Sequence, residues 1–299
     1  VFPALNLHST TYDLYIGDRS FSSWSMRGWL MLKAFDLPHR THLVGLYSGT
    51  MADDLADLAP ARLVPVLRTP EGDVSQDTLA MAETLNERHP DAGLWPKDQS
   101  ARVLARWLAA EMHSGFGALR EACPMNLRTS WVDFPVSDAV KSDLTRIETL
   151  WSEARSKFGS GGPWLFGKYS LADVFYAPIA ARIAGYGLPV SAAAQSYVDA
   201  HLADPLFRQW RAMGATVSYA PMPYTQPLET RPWPGPTPIP ARPIQTGPSV
   251  NSACPYSGDP VRDFMETGGK VYGFCNAFCR DKTIQDPEAW PDFTAIYQS

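Results

Sequence analysis

Ser20-Phe21-Ser22-Ser23-Trp24-Ser25-Met26-Arg27 is the stretch on which the reading of this chain turns. The apolar run Tyr12-Asp13-Leu14-Tyr15-Ile16 precedes it, and Gly28-Trp29-Leu30-Met31-Leu32-Lys33-Ala34-Phe35 follows it. The run reads as a strand, the serine cluster as a helix N-terminus, and the remainder as a helix apolar on nearly every side. Such a turn offers unpaired backbone N–H groups and the positive end of a helix dipole, so it favours a carboxylate, a phosphate or a thiolate in front of it. The hydroxyls of Ser22 and Ser23 can donate to the same anion. The plainer alternative is that one of them only caps the helix.

Downstream, residues 40–46 alternate like a second strand and residues 51–58 form a short helix, completing a βαβ start. Pro65 then interrupts a strand-like run, which points to an edge, a bulge or a cis Val64-Pro65 bond. Pro70-Glu71-Gly72-Asp73 reads as a hairpin turn and Val74-Ser75-Gln76 as a short strand. Asp77 and Thr78 follow at a second helix N-terminus, marked by Leu79, Met81 and Leu85; an ordinary cap is the alternative role there.

From Gln99 the pattern is helical through Val103, Leu104, Trp107, Leu108, Met112, Phe116 and Leu119, then over residues 140–158, 171–183 and 192–202. Helices without intervening strands predict an all-α bundle. Ser170-Leu171-Ala172-Asp173 is a capping box, with Asp173 expected to be buried against backbone N–H groups. Arg27 is expected in a structural or dimer-surface ion pair, and Cys123 as a buried small residue.

Between Pro221 and Val250 about one residue in three is proline, which predicts an extended strap that Tyr224 and Trp233 could pin to the surface. Beyond it, Cys254 and the pair in Tyr272-Gly273-Phe274-Cys275-Asn276-Ala277-Phe278-Cys279 have the spacing of a metal knuckle. Three thiolates suit zinc or another soft ion such as Cu(I); the fourth ligand is left to Asp259, Asp281, a more distant residue or water. Buried free thiols in a small core are the alternative.

The serine cluster after the first strand, the Val-Pro before the third and the acid-plus-hydroxyl pair resemble the glutathione-binding half of the soluble glutathione transferases. Ser22-Ser23-Trp24-Ser25-Met26-Arg27 looks most like the Ser-Ser-Cys-Ser-x-Arg motif of their Zeta class, which includes maleylacetoacetate isomerases, with Trp24 where that class carries cysteine. The resemblance implies a thioredoxin-like domain over residues 1–95 and a helical second-substrate domain over 96–220. It makes Ser22 the hydroxyl that activates the glutathione thiol, with Ser23 beside it and Trp24 at the binding turn. Val64, ahead of Pro65, would pair with the cysteinyl backbone, and Asp77 with Thr78 would hold the γ-glutamyl end. His113 and Ser114 are candidates for the wall of the second-substrate pocket. The tail, residues 251–299 after a linker at 221–250, resembles the small treble-clef metal modules of the TRASH/YHS type, with Cys254, Cys275 and Cys279 as ligands.

The function so implied is a homodimeric glutathione transferase or glutathione-dependent isomerase acting on a small electrophile. The alternative is a non-catalytic glutathione-binding protein whose metal module serves as a sensor or interaction platform. A net charge of -5 over 299 residues, without a basic stripe, argues against nucleic-acid or anionic-membrane binding. With no apolar run of spanning length, no secretory signal pattern and only four cysteines, the chain reads as cytoplasmic.

Overall fold

The computed structural model describes residues 11–219, 221 and 224–298, so the first ten residues of the expected 1–95 domain, and Ala220, Met222, Pro223 and Ser299 at the later boundaries, lie outside the described residues. The first half contains β1 (Tyr12–Ile16), α1 (Ser23–Lys33), β2 (His39–Leu43), α2 (Met51–Asp54), β3 (Val66–Arg68), β4 (Val74–Ser75) and α3 (Thr78–Arg88). Its sheet has the order β2-β1-β3-β4, with β1 parallel to β2 and the other neighbours antiparallel. This is the thioredoxin-like arrangement expected from the sequence.

Alternation along β1 explains how the sheet is covered. Tyr12, Leu14 and Ile16 join the main core with Met26, Leu30, Met81 and Leu85 of α1 and α3. Tyr15 faces a smaller cluster of Val44, Leu55, Leu58 and Val66 on the other side. The Val64-Pro65 bond is cis, and a Cβ at Gly28 would come within 3.0 Å of the Pro65 ring, so glycine lets α1 approach that turn closely. Helix α1 is apolar all round because it is packed all round, against β1, α3 and helices of the second half.

That second half contains α4 (Gln99–Ser114), α5 (Gly117–Ala122), β5 (Ser130–Trp131), α6 (Asp138–Phe158), α7 (Leu171–Tyr186), α8 (Ala192–Ala203) and α9 (Pro205–Gly214). The predicted run through Leu119 is broken, since Phe116 adopts φ +55 and separates α4 from α5. Val103 and Trp107, part of that helical pattern, are 64% and 54% exposed on the outer face of α4. Helix α9 was not read from the sequence, although Asp204-Pro205 supplies its start: the Asp204 carboxylate accepts from the N–H groups of Leu206 and Phe207, and proline occupies the first turn.

The central α7 is wholly buried and begins with the expected capping box. The Asp173 carboxylate accepts from the N–H of Leu165 and Ser170, the Ser170 hydroxyl and the Tyr197 hydroxyl. Burial pushes this carboxyl up to about 6 even though the four donors pull the other way. Asp173→Ala strands those donors and is expected to cost about 3 kcal/mol, read as a lowered urea midpoint at unchanged slope.

The proline-rich strap runs extended, contributing β6 (Thr230–Arg231), which pairs with β5, and β7 (Ala241–Ile244). Asn126 Nδ2 donates to the Tyr224 carbonyl, and the Arg211 guanidinium lies 4.7 Å from the Trp233 ring centre, so both aromatic positions are pinned. Strand β7 forms the edge of a small antiparallel sheet with β8 (Asp263–Thr267) and β9 (Lys270–Phe274). Helices α10 (Ala277–Gln285) and α11 (Pro291–Tyr297) complete the tail.

The tail is seated on α9. Arg208 donates twice to the Asp286 carboxylate, at 2.8 and 2.7 Å, and Gln209 donates to the Ala289 carbonyl at 2.8 Å. The same helix reaches the serine turn, because the Gly214 carbonyl accepts from the Ser20 hydroxyl and Trp210 leans on Trp29. Among the described residues, no helix is long and apolar enough to cross a membrane.

Candidate functional site

Ser22 is the N-cap of α1. Its hydroxyl accepts from the Ser25 N–H at 3.3 Å and donates to Ser25 Oγ at 2.8 Å, while Ser25 Oγ also accepts from the Gly17 N–H. Ser23 is nearly buried, and its hydroxyl accepts from Arg182 Nη2 at 3.4 Å. Arg182 is itself buried and anchored to the carbonyls of Cys123 and Pro178, so a fixed cation stands behind the second serine. A hydroxyl that accepts from a cation is a better donor to an anion in front of it.

A cavity of about 630 Å³ opens at this turn, lined by Ser22, Ser23, Trp24, Val64, Arg120 and Arg182 among others. Val64 lines the cavity and lies outside the sheet ladder, which starts at Val66; Pro65 is buried behind it. The Trp24 indole is flanked by two guanidiniums, Arg27 at 4.4 Å and Arg120 at 4.5 Å from its centre.

Arg27 corrects the expectation of an ion pair. It is completely buried, with Nη1 against the Met112 sulfur at 3.6 Å and its guanidinium near Phe175, and its Nε and Nη2 have no hydrogen-bond partner among the described residues. Burial, then repulsion from Arg120 and Arg182, lowers its pKa to about 9, with Asp77 opposing. The region behind the turn is therefore electropositive, which suits an anion at the α1 N-terminus.

Asp77 caps α3 through the N–H groups of Leu79 and Ala80, and its side chain stays half exposed. Thr78 is buried. His113 meets both, with Nε2 3.0 Å from Asp77 Oδ2 and Nδ1 3.5 Å from Thr78 Oγ1. Asp77, Thr78 and His113 form a cluster of their own and do not line the cavity. Ser114 is exposed, and its hydroxyl bonds back to the Ala110 carbonyl. The arginines around Trp24 are what the sequence reading missed, since nothing local in the helical half marks Arg120 or Arg182 as facing the serine turn.

Residues 21–88 match the glutathione S-transferase N-terminal domain. A maleylacetoacetate isomerase of Pseudomonas aeruginosa is 30% identical over 208 residues, covering 66% of this chain and 93% of that protein. The chain belongs to the glutathione transferase superfamily. A probable maleylacetoacetate isomerase of Caenorhabditis elegans is 30% identical over 167 residues, covering 54% of this chain and 77% of that protein. A glutathione transferase homolog from Burkholderia, solved with bound glutathione, superposes with a TM-score of 0.52 at 24% identity, over 70% of this chain and 100% of the other, and shares the fold.

This superfamily member carries a second cluster in its tail. The sulfurs of Cys254, Cys275 and Cys279 all lie within 4.8 Å of one another. Among the described residues no His, Asp or Glu joins them; Asp281, a sequence candidate for a fourth ligand, is held by Arg280 at 2.7 Å. Ser257 Oγ and Asn276 Nδ2 donate to the Cys275 sulfur, at 3.4 and 3.3 Å. Burial disfavours the Cys254 thiolate, yet donors from Cys275, Tyr256 and Ser257 outweigh it and lower its pKa. The Lys282 ammonium sits between Tyr256 and Trp290, at 3.7 and 4.0 Å from their ring centres, close enough to feel the charge of Cys279 and Cys254. Donors to sulfur and a nearby cation make a donor set that fits a soft ion. Cys123, in contrast, is a buried thiol pushed up to about 12 by burial.

Proposed function

We propose that the chain binds glutathione at the amino end of α1 and uses the Ser22 hydroxyl, with Ser23 beside it, to stabilise the thiolate for attack on a small electrophile or for isomerisation. The observation that carries this reading is the convergence of Ser22, Ser23 and Val64 on one cavity beneath buried arginines. An ordinary thiol, with a pKa near ~8.5, is a few per cent ionised at pH 7; lowering it by about two units takes about 2.7 kcal/mol. A hydrogen bond to a charged group contributes about 1.5–3 kcal/mol and a partly buried helix end up to about 2, so the turn is equal to the task.

Under this reading residues 1–95 hold the tripeptide, 96–220 the electrophile, 221–250 link, and 251–299 bind zinc or another soft ion through Cys254, Cys275 and Cys279. The exposed Val103 and Trp107 of α4 are the apolar pair we assign to a homodimer contact. Isothermal titration with glutathione, paired with conjugation of a chlorodinitrobenzene, tests the proposal. Binding with turnover supports the transferase. Binding without turnover favours the second reading, a glutathione-binding protein, which Trp24 in place of the Zeta-class cysteine and the metal-ready tail make specific. Absence of binding at millimolar glutathione overturns both.

A further inference from the structure

His113 stands at the end of α4, in the helical half, yet its two nitrogens are spent on the sheet half. Nε2 faces Asp77 Oδ2 at 3.0 Å and Nδ1 faces Thr78 Oγ1 at 3.5 Å. The ring is set edge-on to Phe175, with centres 6.3 Å apart. The two oxygens of Asp77 are thereby divided: Oδ1 accepts from the first N–H groups of α3, and Oδ2 from the imidazole.

The charge state of the ring follows from its surroundings. Burial and the nearby Arg27 and Arg120 guanidiniums lower the His113 pKa, against the pull of Asp77, so the ring is neutral at pH 7. A neutral imidazole that donates from Nε2 to a carboxylate must accept at Nδ1, and the Thr78 hydroxyl is the donor there. The ring therefore brings no positive charge to Asp77. Among the described residues no lysine or arginine forms a salt bridge with it, and its side chain is 52% exposed. An oriented, half-exposed carboxylate with no salt-bridged lysine or arginine can receive a cation supplied from outside.

We infer that His113 is a positioning residue for glutathione: it holds the Asp77 carboxylate, across the join between the two halves, in the orientation that receives the α-ammonium of the γ-glutamyl end. This rests on glutathione being the ligand. It moves His113 from the second-substrate wall to the opposite end of the tripeptide, and it makes the helical half a contributor to glutathione recognition.

Substitutions at His113 and Asp77, read with two peptides, test it. His113→Phe keeps a ring against Phe175 and removes both nitrogens, whereas His113→Gln can place an amide N–H near the position of Nε2. The probes are glutathione and its analogue lacking the α-amino group, glutaryl-cysteinyl-glycine. The wild-type protein is expected to prefer glutathione. His113→Phe should weaken glutathione binding and raise its KM about tenfold, with kcat at saturation and affinity for the analogue little changed. His113→Gln should recover most of the loss. In an Asp77→Asn background, His113→Phe should have no further effect, which keeps the idea testable should the single variant fold poorly.

Equal weakening of both peptides, or of neither, would overturn the assignment and leave His113 a packing residue. So would wild-type protein that binds glutathione and the analogue equally well. If the wild type binds neither at millimolar concentration, the glutathione reading itself has failed, a result distinct from the others.

Discussion

Ser22→Ala is expected to lower the glutathione-dependent rate near pH 7 about 30-fold, the loss of about 2 kcal/mol from one hydrogen bond to a thiolate. The deficit shrinks as pH rises, because a thiol deprived of its donor still ionises at alkaline pH; the rising limb of the pH–rate profile therefore moves upward. Glutathione affinity changes little, since the backbone beside Val64 and the Asp77 cluster are untouched. The variant also loses a helix cap, so about 1 kcal/mol of stability goes with it. The structure shows what must rearrange. The Ser22 hydrogen now points to Ser25 Oγ, and turning it toward sulfur leaves Ser25 with its Gly17 N–H bond. Ser23→Ala is the control: its hydroxyl is backed by Arg182, and if it alone shifted the profile, the activating role would pass to Ser23. An unchanged profile in Ser22→Ala removes that residue from the chemistry.

The second large effect is expected in the tail. Cys275→Ser combined with Cys279→Ser should abolish an ion otherwise bound at one per chain by elemental analysis, and residues 254–285 should lose hydrogen-exchange protection. A segment this short, with two strands and one brief helix, has little core of its own, while thiolate-bound structural zinc contributes on the order of 10 kcal/mol in small modules. Strong chelation of the unmodified protein should reproduce the result. Protection of the first sheet should persist, but α9 should lose part of its own, because Arg208 and Gln209 lose Asp286 and Ala289 as partners. A tail that stays ordered with no metal in it would refute the site.

Local chemistry explains what was legible in the sequence. Ser22, Asp77 and Ser170 act on residues within a few positions of themselves, so their capping roles follow from short patterns. The cysteine cluster was legible for a similar reason, since the spacing of Cys275 and Cys279 places both at the start of one short helix, capped by Asn276. Long-range facts were not. Arg27 falls in the second turn of α1, where its own neighbours give no sign of burial, and Met112 and Phe175 from distant helices pack against it. The break at Phe116 hides inside an unbroken apolar period, because a left-handed residue leaves no mark on hydrophobic spacing. The partners of His113 lie 35 and 36 positions back in the chain, across a fold boundary. Helix α9 was legible in principle, from an acid followed by proline at its start.

One bearing helix has two loads. Its middle carries Asp286 and Ala289 of the appended segment, and its final carbonyl steadies Ser20, two residues ahead of Ser22. Whatever loosens the appended segment is therefore passed by this strut to the serine turn.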